Sequence, residues 1–221
     1  MSIFTIGAVD PGTTNIAAWI GTYDTSDETV KTLYMLHGSK EEGSALQGGP
    51  KKKTKVPVYE LTANCVLRVA DKCAECSTSQ MIVETAPQWN TPARISAAAA
   101  YGVLRGRGIA AKFSGPSSKA GAIKHFAEIL GASAQLEQIP EEWDRMDKKT
   151  SSKVRLINKR NAVKVVRALM EKSGDSRGLE ELAKSPEKQD DMADSLLLAC
   201  SAALCLNKKK TKAKTCKKLE K

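Results

Sequence analysis

Short apolar segments separated by turn residues dominate the first part of the chain. Residues 3–9 form an almost continuous apolar run that ends at Asp10, just before a Pro-Gly pair, as expected of a buried strand followed by a turn. Two further apolar stretches, residues 16–23 and 29–36, follow after short polar connections. Because these connections are short, we expect the three strands to form an antiparallel meander.

After this meander, predicted helices alternate with further strands. Apolar residues recur four apart through residues 58–76, which is typical of an amphipathic helix. Thr91 followed by Pro92 is a favourable helix start, with Thr as the N-cap. The predicted helices are residues 58–76, 91–105, 118–130, 158–172 and 190–206, the predicted strands are 80–84 and 109–113, and residues 137–152 are expected to be irregular. This pattern predicts an α/β fold in which a five-stranded mixed sheet is flanked by helices.

Lysine is concentrated in two segments. The 221-residue chain carries a net charge of +10, and residues 207–221 alone hold eight Lys and one Glu. A second run of lysines lies at residues 51–55, within a Gly-, Ser- and Lys-rich stretch, 38–55, that we expect to be a flexible loop insertion. Without these two runs the remaining chain has a charge of −1. We therefore expect one domain over residues 1–206 and a basic tail over 207–221, which either binds a polyanion or is a solvated solubility tail.

Hydropathy and cysteine content point to an intracellular protein. No segment approaches 18 consecutive apolar residues, so no membrane span is expected, and the first residues do not resemble a secretory signal. The six cysteines are therefore expected to be reduced thiols. Cys73 and Cys76 have the spacing of half a zinc site, but no second pair follows. Structural cysteines on a helix are the main interpretation and zinc is the alternative.

Acidic residues stand at the ends of predicted elements. Asp10 and Glu84 each end an apolar strand, and Asp191 and Asp194 lie three apart at the start of the last predicted helix. Taken singly, Asp10 fits a turn and Asp191 fits the negative charge favoured at a helix N-terminus. Taken together, four clustered carboxylates require cations, and oxygen ligands suit Mg²⁺ or Mn²⁺. Two such ions are the usual apparatus for phosphodiester hydrolysis.

At these positions the sequence resembles the RuvC-type Holliday junction resolvases of the RNase H-like superfamily. The matching segments are residues 8–15, 82–84, 159–162 and 190–195. The Asp-Asp-x-Ala-Asp-Ser pattern of the last segment is similar to the signature of the poxvirus resolvases, the branch that the chain resembles most. The resemblance covers roughly residues 3–206. It implies an RNase H-like fold and paired, metal-dependent cleavage of four-way DNA junctions during recombination and the processing of replication intermediates.

The resemblance also implies roles for individual residues. Two Mg²⁺ ions per site, for which Mn²⁺ can substitute, would be bound by Asp10, Glu84, Asp191 and Asp194. Lys159 would stabilise or position the scissile phosphate. Asp190 is left outside the primary ligand set.

Branched DNA and a second copy of the chain are the implied partners. A four-way junction has near two-fold symmetry, which a C₂ homodimer matches. The Ala-rich helix predicted over residues 91–105 is the candidate interface, and packing of its small residues on the sheet is the alternative. Trp89 would stack on an unpaired base in the junction, unless it is a core tryptophan. Further implied DNA contacts are Arg94, Arg105, Arg107, Lys159 and Arg160.

Other function classes fit the sequence less well. The segment that begins at Asp10 also resembles the first phosphate motif of sugar kinases and actin-like ATPases, but a second Asp-x-Gly loop is missing. A 3′–5′ exonuclease of the same superfamily would usually have Asp-x-Glu on its first strand, where this chain has Gly12. A non-catalytic protein that binds branched DNA is a further alternative, although clustered negative charge would repel phosphates. The poxvirus-like signature implies a viral protein in the host cytoplasm, and the Lys-rich tail leaves a nuclear location open.

Overall fold

A central five-stranded sheet organises the structure, a computed structural model that describes residues 3–12, 15–39, 57–131, 136–141, 147–184 and 186–219. The first strands along the chain are β1 (Ile3–Asp10), β2 (Asn15–Asp24) and β3 (Thr29–Ser39). β1 pairs antiparallel with β2, and β2 pairs antiparallel with β3. The predicted meander is therefore confirmed.

The sheet continues with two parallel strands on the other side of β1. β4 (Gln80–Glu84) pairs parallel with β1, and β5 (Ala111–Ser114) pairs parallel with β4, so the strand order is β3-β2-β1-β4-β5. Val9 of β1 pairs with Val83 of β4. The last residues of these two strands therefore lie side by side at one edge of the sheet, which we call the carboxylate edge.

Helices cover both faces of the sheet. α1 (Val58–Glu75) and α2 (Thr91–Gly106) pack on one face. The other face is covered by α3 (Ser117–Ile129), α4 (Lys148–Ser173), α5 (Ser176–Lys184) and α6 (Gln189–Leu219). Neighbouring residues of β1 alternate between the two cores, with Ala8 in one and Val9 in the other, as the two-residue period of a strand requires. The predicted α/β architecture is confirmed.

Several boundaries differ from the predicted ones. β5 begins at Ala111 rather than at residue 109. α4 begins at Lys148 rather than at 158, so the end of the segment expected to be irregular is helical. α5 was not predicted at all. α6 continues to Leu219 instead of ending at 206, so most of the segment expected to be a tail extends this helix.

Asp147 accounts for the early start of α4. Its side chain accepts hydrogen bonds from the backbone N–H and the hydroxyl of Thr150, both at 2.8 Å, which is an N-cap. The first turns of α4 are mostly polar, so apolar periodicity does not detect them. The helix ends at Gly174 with φ of 63°, a left-handed conformation that costs glycine little.

A buried hydrogen-bond network joins α5 to β3. The Asp175 carboxylate accepts from the backbone N–H of Gly178 at 3.1 Å, and from the N–H and hydroxyl of Thr32 at 3.0 and 2.6 Å. The indole N–H of Trp19 donates to the Thr32 hydroxyl at 3.0 Å. The polar groups in this part of the core are thereby satisfied. The network fixes the α4–α5 corner against the sheet.

The cysteines and the apolar character of the helices bear on two of the predictions made from the sequence. Cys65 and Cys73 of α1 lie in the core, and burial raises the pKa of Cys73 to about 12. The five described cysteines are free thiols, and Cys76, the second member of the predicted pair, directly follows α1. Within the described ranges, no helix has the length and apolar character needed to cross a membrane. Residues 40–56, which include the second lysine run, lie outside the described residues.

Candidate active site

Three separate elements bring acidic side chains to the carboxylate edge. Asp10 ends β1, Glu84 ends β4, and Asp191 and Asp194 lie at the start of α6. All four line one cavity, which has a volume of about 860 Å³. The structure thus gathers the four residues that the sequence indicated as metal ligands.

Lys119 is a component of this site that the sequence analysis missed. It lies in the first turn of α3, directly after β5, and its side chain is 13% exposed. Its ammonium donates to Glu84 Oε2 at 2.9 Å and to Asp194 Oδ2 at 2.6 Å. One signal was available, because β5 runs parallel to β4 and a helix that follows it must start near the carboxylate edge.

The carboxylates and Lys119 perturb one another. Burial raises the pKa of Asp10 well above its usual range, Glu84, Asp194 and Asp191 raise it further, and Lys119 opposes them. Burial alone would lower the pKa of Lys119, but the surrounding carboxylates outweigh burial and raise it above its ordinary value. Lys119 is therefore a cation at neutral pH. Three further basic residues, Arg155, Lys159 and Lys188, are among the described residues that line the cavity, so its acidic and basic side chains are equal in number.

Asp191 lies beside further basic groups. The Nε2 atom of His37, on β3, is 3.8 Å from Asp191 Oδ2, and the Nζ atom of Lys159, on α4, is 3.8 Å from Asp191 Oδ1. Burial and the neighbouring Asp190 raise the pKa of Asp191, while Lys159 and His37 lower it. Lys159 lines the cavity as the resemblance implied, but its closest ion pair is with Asp190.

The chemistry of the donors fits a divalent cation. Clustered carboxylate oxygens are the ligands that Mg²⁺ and Mn²⁺ prefer. Among the described residues, however, no three acidic, histidine or cysteine side chains stand close enough together to hold one ion. The Lys119 ammonium lies between Glu84 and Asp194. Binding of an ion there requires Lys119 to move aside.

Helix α4 and the loop after β4 form the walls of the cavity. Ser151, Arg155 and Asn158 line it from α4, and Trp89 and Asn90 line it from the loop. Ser151 and Arg155 precede the predicted start of the helix, so the early start of α4 creates this wall. Trp89 is 82% exposed, which rules out a core tryptophan.

Comparison with known proteins gives structural matches without sequence matches. No protein-family model and no curated protein matches the sequence. The yeast mitochondrial Holliday junction resolvase Ydc2 matches with a TM-score of 0.55 and 14% identity, over 90% of this chain and 78% of that chain. Thermus thermophilus RuvC in complex with a Holliday junction substrate matches with a TM-score of 0.53 and 12% identity, over 91% of this chain and 93% of that chain.

The fowlpox virus resolvase in complex with Holliday junction DNA matches to a similar extent, with a TM-score of 0.51 and 15% identity, over 92% of this chain and 99% of that chain. This chain has the fold of these resolvases. The predicted RNase H-like fold is thus confirmed. Because the three resolvases match about equally, the comparison does not favour the poxvirus branch.

The arginines that the resemblance implied as DNA contacts lie elsewhere on this resolvase fold. Arg107 and Arg160 each form an ion pair with a carboxylate of a neighbouring segment. Arg94 and Arg105 are exposed on α2. None of the four is among the described residues that line the cavity.

The Ala-rich helix α2 has one internal and one external face. Ala93, Ala97 and Ala100 are buried, and the last two belong to the core that α2 shares with α1. This face packs within the subunit, as the alternative interpretation held. Ile95, which is 44% exposed, and Ala98 lie on the outer face. Any contact between subunits through α2 would use this outer face.

Proposed function

We propose that the protein is an endonuclease that resolves four-way DNA junctions by metal-dependent hydrolysis of phosphodiester bonds. The observation that carries this proposal is the convergence of Asp10, Glu84, Asp191 and Asp194 on one cavity in a resolvase fold. Four carboxylates on a cavity wall destabilise the fold unless cations compensate them. Divalent ions that in turn bind phosphate supply both the compensation and the chemistry.

The carboxylates and the lysines around the cavity have different roles in this proposal. Two Mg²⁺ or Mn²⁺ ions, when bound, supply activation of the attacking water and stabilisation of the leaving oxygen. The carboxylates hold and orient the ions. Lys119, if an ion displaced it from its place between Glu84 and Asp194, would then bind a phosphate oxygen. Lys159 approaches the same phosphate from the α4 wall and stabilises the negative charge that develops on it.

Branched DNA suits the shape and chemistry of the cavity walls. Ser151, Arg155 and Asn158 offer hydrogen-bond donors to a DNA backbone that lies along α4. Trp89, at the opposite wall, offers an exposed indole face to an unpaired base. A junction centre provides both a phosphate backbone and unstacked bases.

The four remaining arginines are proposed as more distant phosphate contacts. Arg94 and Arg105 are exposed on α2, near the subunit contact proposed below, and can reach DNA at the margin of that contact. Arg107 and Arg160 would exchange their carboxylate partners for phosphate oxygens.

A homodimer is proposed because symmetrical cutting of a junction needs two active sites. The outer face of α2, with Ile95 and Ala98, is the proposed contact between subunits. The Asp-Asp-x-Ala-Asp-Ser pattern at residues 190–195 supports a place in the poxvirus branch. That branch would put the protein in the cytoplasm of an infected cell, and the nucleus is the alternative location.

A non-catalytic protein that binds branched DNA is the second candidate function. It is favoured by one observation, namely that the Lys119 side chain itself neutralises Glu84 and Asp194. A cation built into the chain would reduce the repulsion between this edge and DNA. A 3′–5′ exonuclease is less well supported, because Gly12 stands where that class has a second carboxylate on the first strand.

A cleavage assay separates these functions. A labelled four-way junction and a linear duplex are incubated with the protein in Mg²⁺, in Mn²⁺ or in EDTA, alongside Asp191→Asn. The proposed function requires paired nicks on opposing junction strands that disappear in EDTA and in the variant. Tight junction binding without any nick would support the non-catalytic alternative, and stepwise shortening of the linear duplex would support an exonuclease.

A further inference from the structure

Asp190 is a carboxylate that the mechanism above does not use, although it is adjacent to Asp191 in the chain. The described residues that line the cavity include Asp191, Asp194 and Lys159, but not Asp190. Asp191 and Asp194 also belong to the charged groups that act most strongly on Asp10, and Asp190 does not. Asp190 therefore stands outside the carboxylate cluster.

The direct partner of Asp190 is Lys159. The Asp190 carboxylate forms a close ion pair with the Lys159 ammonium, whereas the nearest oxygen of Asp191 is 3.8 Å from the same nitrogen. Lys159 itself lines the cavity. Asp190 thus contacts the Lys159 ammonium from outside the cavity. The other side of the ammonium is left free to meet a substrate in the cavity.

We propose that Asp190 is a positioning residue that holds Lys159 at the cavity wall, where the ammonium meets the scissile phosphate. This inference rests on the proposed function. A lysine side chain is long and flexible, and a fixed partner limits the positions that its ammonium can occupy. Without Asp190, Asp191 would be the nearest carboxylate, and Lys159 would be drawn into the cluster that already holds Lys119. Asp190 therefore keeps Lys159 at the cavity wall, independently of whether Lys119 is held by the carboxylates.

The test compares Asp190→Asn, Lys159→Met and the double variant with the wild-type protein. Glu181→Gln is the matched control, because Glu181 forms a comparable ion pair with Lys184, at 2.7 Å, on α5. Three quantities are measured: the single-turnover rate of junction cleavage, the affinity for Mn²⁺ without DNA by calorimetry, and the affinity for the junction in EDTA.

We expect Asp190→Asn to slow cleavage by about ten-fold, since small displacements of a positioned group have effects of at least this size. The affinity for Mn²⁺ changes far less than in Asp191→Asn, measured as the reference, because Asp190 acts on the ions only through its charge beside Asp191. The affinity for the junction remains unchanged, and Glu181→Gln behaves as wild type. The double variant is no slower than Lys159→Met, because both changes remove the same interaction. A fall in Mn²⁺ affinity as large as that in Asp191→Asn would instead make Asp190 a metal ligand. Additive rate losses in the double variant would also overturn the proposal.

A measurement without DNA distinguishes failure of this inference from failure of the proposed function. The ¹⁵N resonances of lysine ammonium groups persist when the group is held in an ion pair and broaden when it is released. If the wild-type protein cuts no junction, the proposed function fails and the Lys159 resonance alone decides whether the contact exists. Its loss in Asp190→Asn, with retention in Glu181→Gln, supports the contact. A resonance that Asp190→Asn leaves unchanged overturns it.

Discussion

At the scale of a single residue, Asp10 shows that a functional side chain can destabilise the fold, because its carboxylate is buried among other carboxylates. Its carboxylate is placed among three others, and burial together with those charges raises its pKa well above the ordinary value of 3.8. Between the ordinary and the raised pKa, the unfolded chain has released the proton that the folded protein still holds. The free energy of unfolding therefore falls as the pH rises through this window. A neutral side chain of the same shape avoids this loss.

We accordingly expect Asp10→Asn to stabilise the protein in EDTA while abolishing cleavage. The gain comes from removing a buried carboxyl whose ionisation the fold disfavours, so it should be larger at neutral pH than in acid. The melting temperature should rise accordingly, by about 2–4 °C for each kcal/mol gained in a chain of this length. Thermal denaturation in EDTA between acid and neutral pH measures the effect, with the exposed Asp27→Asn as the control. A lower melting temperature for Asp10→Asn would contradict the argument.

Lys119 has the opposite effect on stability from Asp10, because its positive charge compensates Glu84 and Asp194 when no ion is bound. Lys119→Met leaves Glu84 and Asp194 without their cation, and breaking a buried ion pair in this way costs about 3–5 kcal/mol. Added Mg²⁺ should then stabilise the variant more than the wild type, because the ion no longer competes with the ammonium. Urea unfolding with and without Mg²⁺ tests this, with Lys124→Met on the same helix as the control. Equal Mg²⁺ effects in all three proteins would contradict it.

Some of these site residues could be identified from the sequence, and others could not. Asp10 and Glu84 could be chosen because each ends an apolar strand, where a carboxylate is costly without a cation. Lys119 could not be chosen in the same way, because a lysine in a polar first turn is typical of any surface helix. The contact of Lys159 with Asp190 rather than Asp191 depends on how α4 packs against α6. Apolar periodicity does not define the start of a helix to within one residue, so it could not show which of the two adjacent aspartates contacts Lys159.

At the scale of elements, the start of α4 determines what lines the cavity. The N-cap at Asp147 begins the helix early enough to bring Ser151 and Arg155 to the cavity wall. Without the cap the first turns should fray, since Ser151, Ser152 and Lys153 are exposed and add nothing to the core. Whether this helix start forms therefore affects DNA binding as well as stability.

We expect Asp147→Ala to lower the free energy of unfolding by about 1 kcal/mol and to weaken junction binding. Asp147→Asn is the matched control, because asparagine is an equally good N-cap acceptor. Hydrogen exchange of the amides in residues 148–155 reports the fraying directly, and junction affinity in EDTA reports its consequence. Identical behaviour of the alanine and asparagine variants would show that the cap is not what holds this segment.

Elements were predictable where apolar periodicity defined them. Strands β1 and β4 and helices α1 and α2 agree with the predicted segments within a residue or two. The polar beginning of α4 was missed because capping, and not an apolar stripe, starts it. The short helix α5 was missed because it is held by the buried carboxylate of Asp175, whose partner Thr32 is distant in sequence.

At the scale of the whole molecule, α6 connects the two ends of the sheet. Its first two turns supply Asp191 and Asp194 at the carboxylate edge. Farther along the helix, the charge of Glu28 adds to burial in raising the pKa of the Cys200 thiol. Glu28 belongs to the β2–β3 turn at the opposite edge. The helix therefore runs away from the site, and at 1.5 Å per residue its lysine-rich part begins roughly 20 Å beyond Asp194. Strand order and helix direction of this kind cannot be read from periodicity, which identifies elements but not their neighbours.

This direction changes what is expected of the basic segment at residues 207–221. The backbone of α6 continues away from the carboxylate edge as far as Leu219. We therefore expect the eight lysines of this segment to bind a DNA arm rather than the scissile phosphate. Removing residues 207–221 should weaken junction binding and reduce its salt dependence by about one unit of slope for each phosphate that the segment neutralises in the wild-type complex. The cleavage rate at saturating protein should be unchanged. The melting temperature should also be unchanged, because the described core residues of α6, which extend to Leu206, are retained.

A full-length variant with Lys208, Lys209, Lys210 and Lys212 replaced by glutamine separates charge from helix length. If the lysines bind phosphate, this variant loses part of the salt dependence in proportion to the charges removed, while the helix is kept. Junction affinity measured across a series of salt concentrations gives both slopes. A slope equal to that of the wild type in both variants would exclude the segment from DNA binding and leave it as a solubility element. A fall in the cleavage rate at saturation would mean that the segment reaches the active site of a second subunit.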